Sequence, residues 1–268
     1  MTTRSIDLVL LATALCAATS GVAAAVAPRN IDGAVTLGVQ RGPDYLGARD
    51  SGISVRPGFY LRWGRVSVSS SGGWAARRQR DEISGLGIDL ASSDTYDVTL
   101  GLRVDSGRSD SDSPALAGMG DVKRTIRARV GATWRFAPAF ELGASWTIDA
   151  FGRGGGNLGE LRLKHEWPLS QRLALSSGAA VFLAGDRYLQ TYFGVTPEQS
   201  ARSGYAVYTP KLGLRDVQVY TSLKFELNDD WVLTGGPGFN RVLGPAARSP
   251  LTQRRTSWNF SAGAGYRF

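Results

Sequence analysis

A single cysteine, Cys16, and a single histidine, His165, occur among the 268 residues. Neither a disulfide framework nor a zinc site of Cys or Cys/His ligands can be assembled from them. Long apolar runs are also missing. Charges recur through the whole chain after Ala27 and the mean hydropathy is -0.13, which excludes a polytopic helical membrane protein, whose every span needs about 20 apolar residues in a row. Helical periodicity is nearly absent as well. In excess are glycine, 34 residues and nearly twice the usual share of roughly 7%, and positive charge, with 31 Lys and Arg against 23 Asp and Glu for a net +8.

The first 25 residues have the three parts of an export signal. Arg4 supplies a positive start, Leu8 to Ala18 an apolar segment, and Ala23-Ala24-Ala25 a small-residue cleavage site, so the mature chain is expected to run from 26 to 268. A retained helical anchor is the alternative, since Leu8 to Pro28 carries no charge, but the run is dominated by Ala and ends in an Ala cluster. Leu15 stands before Cys16 where a lipid-modified cysteine wants a small residue, so Cys16 belongs to the apolar segment. Cleavage removes Arg4 and Asp7, one charge of each sign, and the mature chain stays at +8.

From residue 31 onward the pattern is alternation over stretches of about ten residues, the period-two signal of strands with two chemically different faces. Val217, Val219, Thr221, Leu223, Phe225 and Leu227 share one face, opposite Gln218, Tyr220, Ser222, Lys224 and Glu226. Twelve such segments are expected: 31 to 40, 53 to 63, 65 to 71, 85 to 91, 95 to 105, 122 to 136, 139 to 150, 157 to 167, 171 to 184, 215 to 227, 230 to 243 and 257 to 268. The third and fourth are weak, which keeps ten strands open. Connections alternate between tight turns and long loops, as in a transmembrane antiparallel β-barrel with short periplasmic turns and longer extracellular loops.

A soluble sandwich or lipocalin-like barrel would also alternate, with its apolar face inward. Two features favour the membrane form. Aromatics gather near the tight turns, including Trp63, Tyr96, Trp134, Phe136, Phe140, Trp167, Trp231 and Tyr266, as an interfacial girdle would. The last strand places Phe260, Tyr266 and the terminal Phe268 on one face, like the C-terminal assembly signal of bacterial outer-membrane proteins. Hydrocarbon offers no water to satisfy an open sheet edge, so the sheet must close on itself. Glycines on the polar face, among them Gly38, Gly131, Gly143 and Gly178, leave room for Arg side chains crossing the lumen, and Pro57 and Pro237 mark bulges or strand ends.

Few residues suggest chemistry. An outer-membrane lipid hydrolase would need Ser and His at the outer rim, whereas His165 falls on the apolar face near a periplasmic turn, beside Trp167, and reads as a girdle residue. Gly154 to Gly159 matches G-x-G-x-x-G, but a strand follows where a phosphate cradle needs a helix, so a flexible loop is expected. The basic balance does not indicate nucleic acid, because the arginines lie inward or in loops with no recognition fold around them. Arg56, Arg62, Arg103, Arg127, Arg129, Arg135, Arg162, Lys164 and Lys224, with Glu141, Glu160, Glu166 and Glu226, are expected to face the lumen. They either neutralise one another and lock the barrel shut or line a narrow, weakly anion-preferring pore. In the longest loop, 185 to 214, Thr196-Pro197-Glu198-Gln199 predicts a capped helix over about 197 to 202. Tyr188, Tyr192, Phe193, Tyr205 and Tyr208 either pack this loop into the barrel mouth or present a binding surface.

Several of these stretches resemble one family: Pro43-Asp44-Tyr45-Leu46-Gly47, the block from Tyr188 to Ser200, Gly213-Leu214-Arg215-Asp216-Val217 and the ending Gly265-Tyr266-Arg267-Phe268 are similar to the MipA/OmpV outer-membrane proteins. The resemblance spans nearly the whole mature chain and is densest after Trp167; the 72 to 84 and 106 to 113 stretches depart from it. It implies a non-enzymatic barrel of the bacterial outer membrane, without cofactor, metal or catalytic residues, that meets outer-membrane lipid and the outer-membrane assembly machinery. The family's namesake is a scaffold joining a lytic transglycosylase to a murein synthase, and other members are linked to osmotic response, adhesion or uptake. The resemblance therefore points to a scaffold for peptidoglycan-remodelling enzymes, with a narrow channel or uptake porin for small solutes as the alternative.

Overall fold

The computed structural model describes residues 31–70 and 85–268. The leader read at 1–25 and the arginine-rich 72–84 stretch lie outside them. Twelve antiparallel strands form: β1 (Ile31–Pro43), β2 (Ser51–Trp63), β3 (Val66–Ser69), β4 (Gly85–Ser92), β5 (Tyr96–Asp105), β6 (Thr125–Ala137), β7 (Phe140–Asp149), β8 (Asn157–Pro168), β9 (Leu173–Ala184), β10 (Gly213–Glu226), β11 (Trp231–Val242) and β12 (Thr256–Arg267). Each pairs with its neighbours in sequence, and β12 returns to pair with β1, so the sheet is a closed barrel. All twelve expected segments become strands, and the two weak ones are the short β3 and β4.

Alternation sets the two faces. Val35, Leu37 and Val39 of β1, Leu100 and Leu102 of β5, Leu161 and Leu163 of β8 and Leu233 of β11 are exposed on the outside. Thr36, Ser67, Thr125, Arg127, Glu141 and Thr147 point the other way and are buried. The protein is thus inverted relative to a soluble barrel, with its apolar side chains where bilayer hydrocarbon would meet them. No helix among the described residues is long and apolar enough to cross a membrane; the crossing is made by strands.

The tight turns gather at one end. At one of them the Asn228 side-chain oxygen accepts from the backbone N–H of Asp230 at 3.0 Å and of Trp231 at 2.7 Å, an Asx arrangement that reverses the chain without a longer loop. The opposite, extracellular end carries the long loops and, among the described residues, three α-helices, α1 (Asp186–Phe193), α2 (Pro197–Ser203) and α3 (Gly244–Ala247), with two short 3-10 helices at Asp110–Asp112 and Pro114–Leu116. The α2 helix is the one expected, and it starts on a reciprocal cap: Gln199 N donates to Thr196 Oγ1 at 3.2 Å and Thr196 N to the Gln199 side chain at 2.9 Å. Neither proline ends a strand. Pro57 pairs in register with Leu37, and Pro237 stays opposite Phe260 while the β10/β11 ladder opens beside it between Tyr220 and Leu223, which is where its missing N–H would have donated.

Candidate functional site

The lumen is charged on one wall. Strands β2 to β8 place Arg62 against Asp89, Arg135 against Asp97, and Glu160 against both Arg162 and Arg129, the last at 3.3 Å. Lys164 reaches Glu141 at 3.6 Å and Glu166 at 3.5 Å. Nearer the tight turns Glu226 holds Lys224 at 3.1 Å and Arg267 at 3.2 Å. Register accounts for the contacts of Glu141, which is opposite both Arg135, at 3.9 Å, and Lys164 in the adjacent strands, whereas Arg62–Asp89 and Arg129–Glu160 reach across an intervening strand. The arginines Arg56 and Arg103 share the inward face but remain exposed. Between the pairs lies a cavity of about 380 Å³, lined among others by Arg62, Asp97, Arg129, Arg135, Glu160 and Arg162.

The other wall carries no charge through its middle. Ser176, Gly178, Tyr220, Ser222, Thr234, Asn259 and Ser261 occupy the inward positions of β9 to β12. Gly178 does not make room for an arginine. A Cβ there would lie 2.6 Å from the Tyr220 ring, which covers it from the neighbouring strand.

The extracellular mouth is filled. In α1, Leu189 and Phe193 are buried with Ala184 of β9, Val242 of β11 and Ala246 of α3, and Tyr188 and Tyr192 pack against that cluster. Tyr205 and Tyr208 lie on a second cluster of Met119, Val195 and Leu251. Polar bonds fix the packing: Tyr208 OH donates to Pro245 O at 2.7 Å, Tyr205 OH to Ala115 O at 3.1 Å, Ser249 Oγ to Phe193 O at 2.5 Å and Thr191 Oγ1 to Gly154 O at 2.6 Å.

Below α1 sits a buried polar layer that the sequence reading did not single out as a site. The Tyr188 ring lies between two guanidinium groups, Arg127 at 5.2 Å and Arg215 at 5.4 Å, and its OH accepts from Arg215 Nη1 at 2.7 Å. Arg215 also pairs with the fully buried Asp216 and stacks over Phe182. Arg127 donates to Asp105 at 2.5 Å and to Gly155 O at 2.9 Å, and Tyr192 OH donates to Asp105 at 3.1 Å. From the loop after β5, the buried Arg108 donates to Tyr192 O at 2.8 Å. Burial lowers the Arg108 pKa below its ordinary value. It pushes the phenol of Tyr192 up to about 12, with the charge of Asp105 adding to the effect, and that of Tyr45 likewise to about 12. The groups come from β5, β6, β9, β10, α1 and the loop after β5, so the blocks Tyr188 to Ser200 and Gly213 to Val217 each carry only part of the layer. The glycine string at 154 to 159 is part of this seat and not a free loop: Gly155 N donates to Asp149 at 2.8 Å, and Gly156, at φ +58, sits so near α1 that a Cβ would lie 2.3 Å from Tyr188 N.

At the opposite rim Phe140, His165 and Trp167 form a row on the outer face, the first pair tilted with ring centroids 4.1 Å apart and the second edge-on at 4.0 Å. Tyr266 and Phe268 are exposed on the same outer surface, 6.5 Å apart, while Phe260 stands nearer the loop end. Phe268 covers Gly33 of β1, where a Cβ would lie 2.3 Å from the ring.

An alignment with "Putative outer membrane protein YiaT" of Escherichia coli strain K12 is 26% identical over 190 residues, covering 68% of this chain and 74% of that protein. Among solved structures, the NanC porin matches with a TM-score of 0.44 at 8% identity, covering 86% of this chain and 98% of that one. An anion-selective porin from Comamonas acidovorans gives a TM-score of 0.41 at 11% identity, covering 89% and 98%. The model of the family described as MltA-interacting protein MipA matches residues 35–268, and the chain belongs to this family of bacterial outer-membrane β-barrels.

Proposed function

We propose that this barrel is a non-enzymatic scaffold, exported by a leader at 1–25 that is then removed, whose periplasmic rim docks a lytic transglycosylase and a murein synthase. The observation that carries this reading is the filled extracellular mouth: a barrel sealed by α1 and its polar layer is poorly built for free passage, which leaves the rim of tight turns as its working surface. The family's description as MltA-interacting supports the same partner class. A single turn is small against the roughly 800 Å² per partner of a stable interface, so several of the five turns, from Gly64 to Asp230, must act together. Photo-crosslinkers at Asp94, Ser170 and Asp229 in the living cell test this. Crosslinks to a lytic transglycosylase from two or more turns are expected; recovery of neither enzyme from any position would end the proposal.

A narrow channel is the second reading, favoured by the cavity of about 380 Å³ between the luminal ion pairs. Planar-bilayer recordings separate the two. Steady conductance of the intact protein would support the channel. Silence even after deletion of 185–214 would exclude it.

A further inference from the structure

The luminal arginines Arg62, Arg129, Arg135 and Arg162 all sit in ion pairs. Three others, Arg41, Arg49 and Arg254, have no side-chain hydrogen bond or ion pair among the described residues, yet they converge. With Asp50, Ser51, Thr256, Trp258 and Phe260 they line a pocket of about 320 Å³. It opens on the outside of the barrel at the extracellular edge of the β1/β12 seam. Arg41 continues the outward face of Leu37 and Val39 toward the loops and is paired in register with Phe260. Trp258 and Phe260 are 59% and 55% exposed, stacked with centroids 6.4 Å apart, and Trp258 also meets Phe239 edge-on at 5.1 Å.

Three unpaired guanidinium groups against one carboxylate leave the pocket at +2, directly above a patch of interfacial aromatics. Guanidinium groups bind phosphate through paired N–H donors, and aromatics of this kind mark the headgroup level of a bilayer. Below the pocket, toward the membrane centre, small side chains form a trough. Ala262 is paired with Val39 and Gly235, and Ala264 with Leu37 and Leu233, so the small side chains of β12 lie beside Val39 and Leu37 of β1 and Leu233 of β11, and the trough extends onto β11 at Gly235. A soluble anion would use the arginines and ignore the trough; a lipid uses both.

We infer that the pocket of Arg41, Arg49 and Arg254 binds the phosphorylated headgroup of an outer-leaflet lipid, with an acyl chain lying in the Ala262/Ala264 trough. The inference is independent of the scaffold and channel readings and needs only the outer-membrane location. A bound lipid here would span β1 and β12, the strands that close the barrel.

Native mass spectrometry of the detergent-solubilised full barrel tests it, with bis-phosphorylated lipid A as the probe. One retained lipid per barrel is expected. The double variant Arg41→Gln, Arg254→Gln is expected to bind about tenfold more weakly, the effect of losing charge-assisted hydrogen bonds. A control of equal charge loss at the far rim, Arg65→Gln with Arg172→Gln, is expected to bind as the parent does. Heat-modifiable gel mobility verifies that every variant is folded; if the double variant does not fold, Arg41→Lys takes its place, and an intermediate loss is expected because the charge stays while the fork is lost. Equal retention of dephosphorylated lipid A, or unchanged binding by the pocket variant, would overturn the proposal. So would complete displacement of the lipid by low-millimolar inorganic phosphate, which would reassign the arginines to a soluble anion.

Discussion

Gly33 and Phe268 face each other across the seam, with Gly33 N donating to Phe268 O at 3.1 Å and Phe268 N to Gly33 O at 2.9 Å. The ring of the last residue lies over the glycine, whose position a Cβ could share only by displacing it. An aromatic covering a cross-strand glycine compensates for the packing a bare backbone lacks, and Trp146 does the same over Gly159. Gly33→Val is therefore expected to unseat the ring and destabilise the seam by about 1–3 kcal/mol, the usual cost of overpacking. Its folding into vesicles, followed by heat-modifiable mobility, should slow much as that of Phe268→Ala does. Because both changes remove the same contact, the double variant should be little worse than either alone. Assembly of Gly33→Val at the parent rate, or full additivity, would refute this account. Phe268 was conspicuous in the sequence as an aromatic on an alternating strand. Its partner was not, because Gly33 is one glycine of 34 and nothing local distinguishes it.

At the scale of elements, strands were legible and the plug was only partly so. A strand repeats its two-faced pattern every second residue, so ten residues carry enough of it to be read. The α2 helix was legible for a different reason, its Thr196/Gln199 cap with Pro197 inside it. The α1 helix has Gly185 at its N-cap with no side-chain bond there, and its single apolar stripe of Tyr188, Leu189, Tyr192 and Phe193 spans too few turns to stand out from a loop. What holds α1 is tertiary: Arg108, Arg127 and Arg215, contributed by separated parts of the chain. The packing of the mouth, where Tyr192 OH donates to Asp105 and Tyr45 OH to Leu251 O at 2.9 Å, has a pH signature. Free phenols ionise near 10, whereas Tyr45 and Tyr192 are pushed up to about 12 by burial. Both are packed in the protonated form, so the stability they confer is complete below about pH 10 and is lost as pH rises through about 12. Ultraviolet titration should show a lagging pair of phenols, those of Tyr45 and Tyr192, that ionise only at about pH 12. Over the same window, proteolysis at the exposed Arg187 should accelerate. Tyr192→Phe should remove one lagging phenol and leave the other. A single transition near pH 10 for all tyrosines would contradict the buried environment of these two.

For the whole molecule, one assignment of faces governs the rest. The alternation alone permits two closed forms, apolar side in or apolar side out, and only the girdle and the ending decided between them in the sequence. Outward Leu, Val and Ile side chains on β1, β2, β5, β8 and β11 are exposed in the closed barrel, while the inward face is filled by paired charges and small polar groups. Water would meet a continuous apolar belt far above the few hundred Å² that a soluble monomer exposes. Reversing the faces by a one-residue slip would put those pairs into hydrocarbon, at several kcal/mol for each ion, so the register is strongly specified. The leaderless chain of 26–268, refolded from denaturant, is accordingly expected to precipitate or form large aggregates in plain buffer. In detergent it should fold to a monodisperse species whose gel mobility changes on boiling. Analytical ultracentrifugation with and without detergent reads both arms. A compact, β-rich monomer in buffer alone would mean that the apolar face is turned inward, and the membrane-spanning barrel would have to be abandoned with every role assigned to its rims.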